Sequence, residues 1–215
     1  MKILIRIIYF FYFLWCRVYG ALEYFIYSRF ITTESALKRS FNIVNNNSEL
    51  FNPAKDTWKN ILKKFEWDSD KWYMFFDVIS NTEVFCFRKK GDCDDFAILA
   101  AKVFPERFVF EGEEYNQHGI YFLFASPLFI AKDIIKKFGR ALIGFFKTFK
   151  FVMEEGNYGH VITAFKAKDD LKFTVISVKR MYTCRDIICK VNNLDYSWFV
   201  MTDFNLKIKT IGELK

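Results

Sequence analysis

The chain opens on an apolar helix pattern interrupted by single basic residues. In "MKILIRIIYFFYFLWCRVYGALEYFIY" the stretch Ile7 to Cys16 is ten apolar residues between Arg6 and Arg17. A helix that crosses a bilayer needs about twenty, so the run is short for a span. Arg6 and Arg17 are eleven residues apart and share a helical face, which suits a helix packed on the protein or lying in a membrane surface. Lys2 and Arg6 in front, with Val18 and Gly20 behind, leave a cleaved signal peptide as a third reading, which Arg17 and the bulky run weaken.

Polar turn formers from Asn42 to Asp56, "NIVNNNSELFNPAKD", predict a boundary. Residues 1–50 are then a hydrophobic N-terminal helical segment and 51–215 the main domain. Trp58, Ile61, Leu62 and Phe65 recur at helical spacing with lysines on the other side. After Trp67 and Trp72, "DVISNTEVFCF" reads as a loop and a short strand. Gly91 and Asp92 have the character of a turn and an N-cap, and small residues fill the helix that runs from Phe96 to Val103. "RFVFEG" predicts a strand, and "EYNQHGIYF", with His118, reads as a loop.

From Gly119 to Ala131 the chain carries no charge. "KDIIKKFGRALIGFFKTFK" follows, with Phe138, Leu142, Phe145 and Phe149 on one helical stripe and Lys132, Lys136, Arg140 and Lys147 on another. Six basic residues against Asp133 give 6 − 1 = +5 in this stretch. An amphipathic helical insertion at about 119–151 is expected. "GHVITAFKAKDDLKFTVIS" alternates out and back as a hairpin about Lys168 to Asp170. The remainder predicts a short helix and a final strand.

Composition sharpens this picture in three places. With 215 residues, 52% of them hydrophobic, and only three prolines and nine glycines, the chain has the material for one well-filled core. Its net charge of +7 calls for an acidic partner. The phenylalanines among the lysines favour an anionic membrane surface over nucleic acid, with an ordinary surface helix whose Phe stripe enters the core as the plain alternative. Five cysteines, an odd number at irregular spacing, fit a reducing, cytoplasmic compartment with peripheral or anchored membrane attachment. Cys184 and Cys189 lack a second pair or a nearby histidine, so no zinc site is expected, and no metal or cofactor.

The candidate chemistry is in "KKGDCDDFAILAAKVF". Cys93 falls in the first turn of a helix, where the positive end of the helix dipole favours thiolate, while Asp94 and Asp95 oppose it. The plain alternative is a buried packing thiol. A thiol nucleophile needs a base, and the chain has two histidines, His118 and His160. His160 opens a predicted strand, which gives its ring a defined direction, and is the better candidate.

"GDCDDFA" followed by "GHVITAF" resembles the transglutaminase-like superfamily over about Trp58 to Val178. The resemblance implies an α+β fold with a papain-like transglutaminase core: a nucleophile helix packed on an antiparallel sheet, with the N-terminal helix and the insertion as additions. It implies a thiol-dependent hydrolase or acyltransferase acting on peptide or protein amides, with Cys93 as nucleophile and His160 as general base. Where the family places an orienting aspartate, this chain has Ser177, and Asp186, Asp195 or Asp203 are further candidates. The alternative is a non-catalytic module that keeps the fold and uses its basic amphipathic surface to bind a membrane or a partner protein.

Overall fold

The computed structural model describes residues 2–49, 58, 62–68, 79–104, 106–110, 112–125, 159–168, 172–185 and 196–213. The basic amphipathic stretch of 132–150, with its lipid-binding reading, lies outside them. So do Trp72, Asp186, Cys189 and Asp195.

The fold is α+β. Helix α1 spans Lys2–Ile26 and continues as a π-helical turn over Tyr27–Ile31. Together they are long and apolar enough to cross a membrane, so the helix extends well beyond the ten-residue run. Its inner face is set by Phe13, Cys16, Gly20 and Glu23, all buried. Phe13 meets Phe122 at 5.0 Å between ring centroids, and Tyr9 meets Phe124 at 5.7 Å. Two polar ties hold the same face. Arg17 donates to the Asn205 carbonyl at 3.0 Å. Glu23 accepts from the Asn81 backbone N–H at 2.8 Å and from Arg88 at 3.0 Å.

Helix α2 spans Glu34–Glu49, so the polar patch expected to begin a boundary at Asn42 instead continues a helix as far as Glu49. Val44 explains why: it is buried in the cluster that holds Trp58, Leu62, Phe65 and Phe85. Trp58, Leu62 and Phe65 share one buried environment, as their spacing predicts, although Leu62–Lys64 is a 3-10 turn and Phe65 lies beyond it.

A second correction concerns "TEVFCFR". Thr82–Arg88 is a helix, α3, although its residues favour a strand. Asn81 caps it, accepting from the N–H groups of Glu83 at 3.0 Å and Val84 at 3.3 Å. Burial of Val84, Phe85 and Cys86 on one side supplies the rest. Strands β1 (Glu66–Trp67) and β2 (Lys90–Gly91) then pair in parallel and lead into α4, Cys93–Val103.

Among the described residues the main sheet has seven strands: β3 (Arg107–Phe110), β4 (Glu113–Ala125), β5 (Gly159–Ala167), β6 (Phe173–Ser177), β7 (Arg180–Cys184), β8 (Tyr196–Thr202) and β9 (Ile208–Glu213). The order is β7-β6-β5-β4-β8-β9, antiparallel throughout. β3 pairs with the start of β4 and β8 with its end. The apolar stretch expected to begin an insertion at Gly119 thus starts inside the central strand. His118 is in that strand too, at a bulge between Gln117 and Gly119, and not in a loop. The hairpin about Lys168 is present as β5 and β6. The C-terminal segment forms the β8–β9 hairpin, with no helix among its described residues.

Helix α4 packs on β5. Val161, Thr163 and Phe165 alternate toward it, and the Thr163 hydroxyl donates to the Ala97 carbonyl at 2.6 Å. Gly91 sets how closely the chain enters this helix. A Cβ there would lie 2.2 Å from Asp95 Oδ2 and 2.8 Å from Phe85 Cε2. Asp95 is not free to yield, because its other oxygen accepts the Ser80 N–H at 2.8 Å. Gly91→Ala is therefore expected to destabilise the fold by about 1–3 kcal/mol, the usual cost of overpacking. Chemical denaturation checks this, and a midpoint equal to wild type would show that the helix start has slack.

Candidate active site

The helix start that carries Cys93 is a dense polar knot. Asp92 is the N-cap, in an extended conformation, and its carboxylate accepts the Asp94 N–H at 3.3 Å. Cys93 is the first helical residue and half-buried, whereas Cys16, Cys86 and Cys184 are buried. Asp94 is 1% exposed and receives the Tyr12 hydroxyl at 3.4 Å, so α1 reaches the helix start directly. Asp95 straps the Ser80 backbone.

One oxygen of each of Asp92, Asp94 and Asp95 lies within 4.8 Å of the others. The helix N-terminus stabilises that charge. Each of the three accepts a hydrogen bond from a protein group, which accounts for them as cap and straps. Their field and the helix dipole act on a charge at the Cys93 sulfur in opposite senses.

His160 is the second residue of β5. Its Nε2 lies 2.7 Å from the hydroxyl of Ser177, at the end of neighbouring β6. Ser177, one of the four candidates for the orienting position, is thus the one hydrogen-bonded to the ring among the described residues. Asp203 is not there: its carboxylate accepts the Asn205 and Lys207 N–H groups at 2.9 and 2.8 Å and closes the β8–β9 turn. Burial lowers the pKa of His160 from its ordinary 6.5, and the Asp92 carboxylate partly opposes this. The imidazole is thus neutral at neutral pH and able to accept a proton.

His160 and Cys93 belong to opposite faces of the sheet. His160 is in register with Leu123, and by alternation shares the face of Leu123 and Ile162, away from α4. Cys93 packs in the cluster on the α4 side, with Val161 and Phe122. The two faces meet at the sheet's open end, where Gly159 pairs with Phe124 and Ala125 with Tyr196. Asp92, the neighbour of Cys93, is close enough there to act on His160.

Tyr196 was not foreseen in the sequence. Burial raises the pKa of its phenol, and a negative charge at Cys93 acts in the same direction, so the phenol stays protonated. The alternation in "YSWFVMT" announces a strand, but nothing local says that its first residue meets a helix start more than ninety positions earlier.

His118 belongs to a different place. Its Nε2 is 2.8 Å from the Tyr121 hydroxyl and its ring packs on Phe173. It stands five positions from Leu123 along β4, about 17 Å at strand rise, from the level of His160. Burial lowers its pKa, helped by Lys166 and Lys209. No protein-family model, curated protein or solved structure matches this chain.

Proposed function

We propose that the chain is a thiol-dependent hydrolase or acyltransferase acting on amide bonds, with a transglutaminase-like, papain-like core. The observation that carries the reading is the His160–Ser177 hydrogen bond, with the Asp92 carboxylate at the start of the Cys93 helix acting on the same ring. It engages Nε2 and leaves Nδ1 as the nitrogen to address a thiol. In this reading the Cys93 sulfur attacks the amide carbonyl carbon while its proton passes to His160. His160 then protonates the departing amine, and water or a second amine cleaves the thioester. Tyr196, kept protonated and within electrostatic reach of Cys93, would serve as the donor to the oxygen that becomes negative as the sulfur adds.

Serine in the third position orients the imidazole but contributes no negative charge toward the imidazolium. Asp92 offers that charge instead, since its carboxylate favours the protonated ring. The helix cap then serves two purposes: it starts α4 and it tunes the base.

A specific observation favours the second reading, a non-catalytic module. Strand alternation turns His160 to the face away from α4. The two readings separate without a known substrate. Brief iodoacetamide treatment at neutral pH with mass-spectrometric mapping should label Cys93 ahead of the other four cysteines, and His160→Ala should slow labelling at Cys93 by about tenfold or more. Exposure alone would give the first result but not the second. An unchanged rate in His160→Ala supports the binding module.

The pH profile carries a sign. Because burial depresses His160, the acid limb of Cys93 labelling should lie below pH 6.5. Asp92→Asn, which retains a capping side chain, removes the charge that holds the value up and should move the limb lower still. A limb that stays in place or rises would contradict the role given to Asp92.

A further inference from the structure

We propose that α1 lies in the plane of an anionic lipid leaflet, its outer face in the acyl region and its inner face still docked on the domain, and that it does not cross the bilayer. The inference is independent of the chemistry assigned to Cys93.

The outer face is apolar without a break. Leu4, Ile8, Phe11, Trp15, Val18 and Leu22 recur at helical spacing and are each 48–61% exposed. With their neighbours on either side they cover an arc of roughly 160° at the usual 100° per residue, and no charged residue falls within it. Arg6 and Arg17 stand at one margin of that arc, and the helix's one acid, Glu23, is buried on the inner face. A broad apolar face bordered by cations is what an interfacial helix presents to anionic lipid.

Crossing the bilayer would undo the docking. The inner-face ties run from Tyr9 to Glu23, about 21 Å of helix axis at 1.5 Å per residue. A perpendicular helix would have to give up Phe13 and Cys16 to lipid and carry Arg17 and Glu23 into the hydrocarbon, stripped of Asn205, Asn81 and Arg88. Lying flat keeps every one of those contacts.

A second copy of the chain fits the face less well. The arc is far wider than the seam of two positions in seven that a coiled coil uses. The charges at its margin are all of one sign, so a partner helix would meet arginine with no exposed acid on α1 to pair with it. An acyl layer needs neither a seam nor a counter-charge beyond its headgroups. The arrangement also puts Cys93, which packs in the cluster that α1 covers, about one helix diameter, ~10 Å, from the lipid.

The test uses the full chain reconstituted with vesicles of phosphatidylcholine and phosphatidylserine. The phosphatidylcholine carries bromine near the headgroup, at mid-chain or near the chain terminus in separate preparations. Trp15 sits near the middle of the helix, so its depth separates the geometries, and Trp15→Phe supplies the signal of the other tryptophans for subtraction. The proposal expects Trp15 quenching to be strongest with the shallow bromines and weakest at the chain terminus. Strongest quenching at the chain terminus would mean a crossing helix and overturn the proposal. No quenching, whether the chain remains unbound or forms a defined dimer that hides Trp15, would overturn it as well. Phe11→Ser with Val18→Ser should weaken vesicle binding about tenfold or more at an unchanged thermal midpoint, because both side chains are more than half exposed on the outer face. Unchanged binding would place the lipid contact elsewhere and contradict the proposal.

Discussion

The seating of α4 on β5 is the constraint from which the rest follows. The buried Thr163 hydroxyl holds the Ala97 carbonyl, and Gly91 lets the chain enter the helix with no room for a Cβ. Together they fix the height of Cys93 against the start of β5. Ser80, Asn81 and Glu23 are tied to the same point through Asp95 and Arg88. A change in that height by one strand residue would move about 3.4 Å, more than a hydrogen bond's length, and would take the helix start away from His160.

In the proposed chemistry the polar knot at this point would serve folding and catalysis at once, and the two make opposite demands. Carboxylates at a helix start stabilise the helix, and Asp92, Asp94 and Asp95 are each engaged by protein donors. The same charges discourage a standing negative charge on the neighbouring sulfur. A base that takes the proton as the sulfur reacts would resolve the conflict, and a half-buried, neutral His160 suits that proposed role. In this account Asp92 belongs to both sides, as the cap of α4 and as the nearest charge acting on the imidazole.

Much of this was legible locally. Asp92 reads as a cap, Gly91 as a turn, the small residues of 97–101 as a packed helix, and the β5–β6 hairpin from its alternation, while Ser177, one of four candidates in the sequence, bonds His160 in the structure. The misreadings occurred where tertiary packing outweighs propensity. "TEVFCFR" favours a strand by composition but is a helix because Asn81 caps it and one side is buried. The first part of the polar patch, Asn42–Glu49, reads as turn formers but is helical where Val44 finds a core, and its remainder to Asp56 lies outside the described residues. His118 looks like a loop residue because a bulge interrupts the alternation of β4. Tyr196 and the contact of Tyr12 with Asp94 depend on pairings across some eighty or more residues, which no local pattern encodes.

The central claim is that Cys93 and His160 form one unit at the end of the sheet. With only two histidines in the chain, imidazole carbon resonances can be followed through a pH titration by NMR, with His118→Gln to assign them. The account predicts that Cys93→Ala changes the titration of His160, in midpoint or in chemical shift, and leaves His118 as it was. A His160 curve that is the same with and without the thiol would show that the two side chains do not sense each other, and would contradict the pairing on which the proposed chemistry rests.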